Sequence, residues 1–144
     1  VSTNGMIHDC TVKTVLIVDD DGINRYILSA ILKGYNVSSE TAENGIEALE
    51  KVTERAAQFQ NCGCSAYSFI ILDYEMPRMN GPDCAKNIAQ LIQRKKVPDQ
   101  PIIGHTAYCA SEDIDYFKSC GVVDILSKPS NDQSVSQMLN RWLQ

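Results

Sequence analysis

A repeated pattern of short apolar runs, each ending abruptly in polar residues, limits what this chain can fold into. Val15-Leu16-Ile17-Val18 runs into Asp19-Asp20-Asp21, and Phe69-Ile70-Ile71-Leu72 runs into Asp73. Ile102 and Ile103 lead to Thr106, and Val122 to Leu126 lead to Lys128-Pro129. A weaker run, Tyr35 to Ser39, lies between the first two. Unbroken apolar runs of this length suit strands covered on both faces, as in a parallel sheet.

Helical spacing fills the gaps. Ile23, Tyr26, Ile27, Ala30 and Ile31 recur three and four apart and read as a core-facing stripe, with Gly34 as the stop. Asn44-Gly45-Ile46-Glu47 reads as a capping box ahead of Ile46, Leu49, Val52 and Ala56. Cys84, Ile88, Leu91 and Ile92 mark a third helix. Ser111 is expected to cap a fourth, with Glu112 and Asp113 at its positive end. Ser130 with Gln133 is expected to box a fifth, with Val135, Met138, Leu139 and Trp142 facing inward. Five alternations of strand and helix call for a parallel α/β sheet, helices on both faces and right-handed crossovers. With 144 residues, 44% of them hydrophobic, the chain has the material for one such domain. Gln58 to Ser68 reads as a loop inserted between the second helix and the third strand.

Composition narrows the function. A formal net charge of -5 without a long basic run argues against nucleic acid as a direct partner. No apolar stretch approaches the ~20 residues that span a bilayer, so no membrane contact is expected of this domain. The first ten residues lack the marks of a signal peptide, and a cytoplasmic location with reduced thiols follows as the expectation. The six cysteines form no C-x-x-C pair, and neither histidine stands near Cys62-Gly63-Cys64. Cys84 and Cys120 read as core fillers, His8 as incidental, and His105 as a packed or surface residue at a strand end.

In a parallel sheet, ligands gather beyond the carboxyl ends of the strands. Asp19, Asp20 and Asp21 stand at the first such end, Asp73 and Glu75 at the third, Thr106 at the fourth and Lys128 at the fifth. Carboxylates within about 4 Å of one another repel by roughly 1 to 4 kcal/mol per pair near a surface. A divalent cation removes that cost, and oxygen donors in this number suit Mg2+. The same cation prepares the cup to receive a phosphoryl group. Asp73 then reads as the nucleophile, Lys128 as the cation that grips the phosphoryl group, and Thr106 as a hydroxyl donor. Taken alone, Asp21 reads equally well as a helix cap.

The segments VLIVDDDGINR, ENGIEAL, FIILDYEMPRMNG, PIIGHTA and ILSKP, in this order, resemble the receiver domain of two-component response regulators, and most of all the receivers of hybrid histidine kinases. The resemblance runs from Thr14 to Leu143, leaving residues 1–13 as an N-terminal extension and 14–144 as the receiver. It implies a flavodoxin-like (βα)5 doubly wound sandwich with strand order 2-1-3-4-5. It implies Asp73 as the phosphoacceptor, and Mg2+ held by Asp20, Asp19, Asp73 and the backbone carbonyl of Glu75. Thr106 is then the switch hydroxyl, Ala107 the small residue beside the phosphoryl entry, and Lys128 the grip, followed by a cis bond to Pro129. The family's switch aromatic falls at Ile125, a departure, and Glu75 adds a negative side chain beside the cup. The implied partners are a histidine kinase or histidine-phosphotransfer domain, docking near Asn24, Ile27 and Leu28, with the chain a monomer or weak dimer. A chain that begins at Val1 and closes after a fifth helix is expected to be the terminal receiver of a larger sensor kinase. Two other readings share part of this logic: a Mg2+-dependent phosphohydrolase with an aspartyl-phosphate intermediate, and a degenerate receiver that only binds proteins.

Overall fold

The computed structural model of the chain describes residues 12–143. Residues 1–11, with His8 and most of the expected extension, lie outside the described residues. Five strands and five α-helices alternate: β1 Thr14–Val18, α1 Gly22–Gly34, β2 Ser38–Ala42, α2 Gly45–Gln58, β3 Ile70–Asp73, α3 Gly81–Gln93, β4 Ile102–Thr106, α4 Ser111–Ser119, β5 Asp124–Ser127 and α5 Asp132–Trp142. The strands form one parallel sheet in the order β2-β1-β3-β4-β5.

The two-residue period of a strand sends alternate side chains to opposite faces. Val15, Ile17, Ile71 and Ile103 pack with Leu28 and Leu32 of α1 and with Val135, Met138 and Leu139 of α5. Leu16, Val18, Ile70 and Leu72 pack with Ala48 and Val52 of α2, Cys84 and Ile88 of α3, and Phe117 of α4. Both faces of β1, β3 and β4 are therefore dry, which is why these strands read as unbroken apolar runs.

The edge strand departs from expectation. The run expected at Tyr35 to Ser39 instead ends α1: Tyr35 is the cap residue, and Asn36 takes a left-handed φ of 61°. The Asn36 amide donates to Lys33 O and the Val37 amide to Leu32 O, the paired bonds of a Schellman ending. The stop is thus Asn36, and Gly34 remains helical. The strand follows as SSETA, half-exposed and polar because only one neighbour pairs with it.

α1 also buries a different face from the one expected. Leu28 and Leu32 are in the core, with Ile31 packed against it, while Ile23 is 69%, Tyr26 75% and Ile27 43% exposed. Two helix starts shift by one residue. Asn131, not Ser130, caps α5 and exchanges bonds with Ser134, because the Ser130 hydroxyl is engaged by His105. α4 starts at Ser111 behind Ala110, which offers no side-chain cap. Asn44 accepts from the Glu47 amide at 2.9 Å, as the capping motif required. The insertion is folded down: Cys64 and Tyr67 are buried, and the Arg55 guanidinium lies over both Phe59 and Tyr67.

Candidate functional site

The carboxyl ends of β1, β3, β4 and β5 meet around one cavity of about 300 Å³. Asp19, Asp20 and Asp73 each aim a carboxylate oxygen into it, all within 4.8 Å of one another. Lys128 Nζ reaches Asp73 Oδ1 at 2.8 Å and Asp19 Oδ2 at 3.5 Å. Asp19, Asp73 and Thr106 are buried, whereas Asp20 faces solvent. Residues far apart in the chain thus share a cup because a parallel sheet points every strand's carboxyl end the same way.

Backbone and side-chain bonds hold Asp19, Thr106 and Lys128 in place. The Asp21 amide donates to Asp19 Oδ1 at 2.9 Å, and the Arg25 guanidinium donates to the Asp19 carbonyl at 2.7 Å. Asp21 itself caps α1, accepting from the Ile23 amide, so its carboxylate is engaged at the cup's edge. The amide of Lys128 donates to the Thr106 carbonyl at 2.9 Å, which ties β5 to β4 at the rim. Thr106 Oγ1 accepts from the Tyr108 amide at 2.9 Å. The Lys128–Pro129 peptide bond is cis. Gly81 opens α3 against the end of β3: a Cβ there would collide with the Asp73 carbonyl and lie 2.9 Å from Tyr74 Cα.

Burial, reinforced by the Asp19 and Asp20 charges and opposed by Lys128, pushes the Asp73 carboxyl up to about 6. Burial would lower Lys128, but the Asp73 and Asp19 carboxylates outweigh it and raise the ammonium above its ordinary value. The cup therefore holds more negative charge than one lysine balances. A hard divalent cation with oxygen ligands fits that donor set.

The Glu75 side chain is exposed and accepts a hydrogen bond from the Tyr108 hydroxyl. Ala107 is exposed at the cavity's edge, and Ile125 sits half-buried against the α3–α4 side of the core. Sequence reasoning passed over the aromatic residues around it. Tyr74 packs edge-on to Phe117 at 4.8 Å and to Tyr108 at 5.8 Å. Phe117 lies so close to β4 that a Cβ on Gly104 would stand 2.5 Å from its ring. That glycine inside a strand was the available signal, since it marks a close approach. His105, expected as a packed or surface residue, is buried beside Asp19. A wider groove of about 800 Å³ lies at the other end of the sheet, between α2, the insertion and the α3–β4 turn. It gathers no cluster of acids, so chemistry rather than size selects the smaller cup.

A model of the response regulator receiver domain matches residues 15–140. The chain belongs to this family. It is a receiver domain of two-component phosphorelay signalling. The receiver is 35% identical over 123 residues to the transcriptional regulatory protein CpxR homolog of Haemophilus influenzae, covering 84% of this chain and 46% of that protein. It is 28% identical to hybrid signal transduction histidine kinase L of Dictyostelium discoideum, covering 89% of this chain but 7% of the kinase. The chain thus spans less than half the length of these two relatives. Among solved structures, the receiver domain of Saccharomyces cerevisiae Ssk1, crystallised with the histidine phosphotransfer signaling protein Ypd1, superposes with a TM-score of 0.79. It is 26% identical, with 91% of this chain and 88% of that one covered. No helix among the described residues is long and apolar enough to cross a membrane.

Proposed function

We propose that this receiver takes a phosphoryl group from a phosphohistidine onto the Asp73 carboxylate. The carrying observation is the convergence of Asp73, Asp19, Asp20 and Lys128 in one cup, with Thr106 on its rim. The new bond joins an Asp73 oxygen to phosphorus. The bond that breaks is the P–N bond of the donor imidazole, which keeps the electron pair and takes up a proton. Lys128 moves from Asp73 to the phosphoryl oxygens, and the Thr106 hydroxyl donates to them. Asp19, Asp20, Asp73 and the Glu75 carbonyl would hold Mg2+, which supplies neutralisation of the phosphoryl oxygens.

The Glu75 carboxylate weighs against a hydrolase: the acid two residues past the nucleophile lies on the cup's rim, already engaged by the Tyr108 hydroxyl. The intact cup weighs against a receiver that only binds proteins. The exposed Ile23, Tyr26 and Ile27 of α1 supply an apolar face for the histidine-bearing partner, next to the opening of the cup at Asn24.

Incubation with acetyl phosphate and Mg2+, read by intact mass, tests the reading. The expected result is one phosphoryl adduct on the wild-type chain, none on Asp73→Asn, and none when Mg2+ is chelated. An adduct that persists on Asp73→Asn, or a wild-type chain that neither binds Mg2+ nor labels, overturns it.

A further inference from the structure

Among the described residues, His105 Nδ1 is the buried side-chain nitrogen left without a hydrogen-bond partner. The ring is 2% exposed and sits at the end of β4. Its Nε2 lies 3.1 Å from Ser130 Oγ, and its Nδ1 lies 3.9 Å from Asp19 Oδ2.

A neutral imidazole carries a single N–H. Were that proton on Nε2, the Nδ1 lone pair would face a carboxylate oxygen in a dry site, acceptor against acceptor. With the proton on Nδ1, the N–H points at Asp19, and the Ser130 hydroxyl rotates to donate to Nε2. The second arrangement turns a donor rather than a lone pair toward Asp19 Oδ2, 3.9 Å away.

We propose that His105 is a positioning residue: as the Nδ1–H tautomer, anchored by Ser130, it orients the Asp19 carboxylate for Mg2+. The inference rests on the Mg2+ reading above and extends it to a residue that does not touch the metal. It also answers a problem in the proposed transfer. Asp19 Oδ2 is approached by Lys128 at 3.5 Å and by the Asn24 amide at 3.4 Å. When Lys128 turns to the phosphoryl group, Asp19 Oδ2 loses its cationic neighbour, and the Asn24 side-chain amide and His105 remain beside it. Groups that orient metal-binding carboxylates in this way typically change affinity by about 10–100-fold, and the longer contact here places the effect at the lower end.

Two measurements on the full chain decide the matter. Long-range nitrogen–proton correlation spectra of the metal-free wild-type protein at neutral pH are expected to show the Nδ1–H tautomer; a pure Nε2–H tautomer overturns the proposal. Calorimetric titration with MgCl2 is expected to show about tenfold weaker binding for His105→Leu. His105→Asn, whose amide N–H stands where Nδ1–H stood, should bind within about twofold of wild type. Wild-type affinity in His105→Leu, or equal loss in both variants, also overturns it. A wild-type chain that binds no Mg2+ instead removes the functional reading itself. Should His105→Leu fail to fold, the tautomer and the Asn variant still decide.

Discussion

On the flank of the cup formed by β1, α1 and the β5–α5 turn, polar groups are tied inward. Asp19 is met by the Asp21 amide, Asn24, Lys128 and, through its carbonyl, Arg25, with His105 behind it held by Ser130. On the flank formed by the β3–α3 and β4–α4 turns, the contacts are aromatic and wet. Tyr108 is 48% exposed and reaches across the opening to the exposed Glu75, while Tyr74 is wedged between Tyr108 and Phe117. The first flank fixes the Asp19 carboxylate through several bonds, while Asp20 beside it faces solvent. The second has few buried polar bonds to break and is the side suited to move when charge in the cup changes. Ile125, at the switch-aromatic position, belongs to that second flank. Its neighbour Phe117 is already fully buried, packed close against Gly104.

The largest effect expected from this contrast is in stability against pH, without metal. Asp73 is pushed up to about 6 from an ordinary 3.8, so its contribution is present below the lower value and lost as pH rises through the upper. His105 is held at about 4 against an ordinary 6.5, so its contribution is present above 6.5 and lost as pH falls through 4. The two are opposite in sign and each on the order of 3 kcal/mol, so they offset within one window. Urea unfolding of Asp73→Asn should uncover an acid-induced loss of about that size between pH 6.5 and 4. His105→Leu should show the reverse, gaining stability on acidification. Identical slopes in both variants would break the picture of a tightly buried first flank.

A smaller effect concerns what approaches that flank. Ile23 and Ile27 are exposed on α1 and contribute little to the core, so the double change to serine should alter stability by no more than about 0.5 kcal/mol per site. Transfer from a phosphohistidine protein should slow about tenfold, in keeping with the loss of two apolar anchors at an interface. Labelling by acetyl phosphate, which needs no docking face, should stay unchanged. If both donors slow together, α1 shapes the cup rather than the interface.

How much of this was legible in the sequence follows from the same physics. β1, β3 and β4 announce themselves because both faces are buried, and the polar residues at their tips fall into the cup with them. β2 does not, because an edge strand with the sequence SSETA carries no apolar run. The α1 stripe misled because Ile23, Tyr26 and Ile27 follow helical spacing as faithfully as Leu28 and Leu32 do. Periodicity places residues on a common face without saying which face meets the sheet. The α5 cap moved from Ser130 to Asn131 because a residue on β4, remote in sequence, claims the Ser130 hydroxyl. The same blindness to distant partners concealed the His105–Asp19 contact and the Tyr108–Glu75 bond.

The smallest expected effect tests the looser flank directly. Tyr108→Phe keeps the ring against Tyr74 and removes only the hydroxyl that holds Glu75. Both residues are exposed, so the stability change should stay within about 0.5 kcal/mol. The Mg2+ affinity should also hold within about twofold, because no cup carboxylate touches Tyr108 and the Thr106 bond comes from its backbone amide. What changes is the cover over the opening. With the tether gone, Glu75 and the β4–α4 turn part more readily, and water reaches the acyl phosphate of Asp73 more often. The acyl phosphate should therefore hydrolyse faster by up to about threefold, a barrier change near 0.7 kcal/mol, followed by intact mass after the donor is removed. A slower decay would mean that the tether instead holds Glu75 where it helps water attack, and the second flank would then be part of the chemistry rather than its lid.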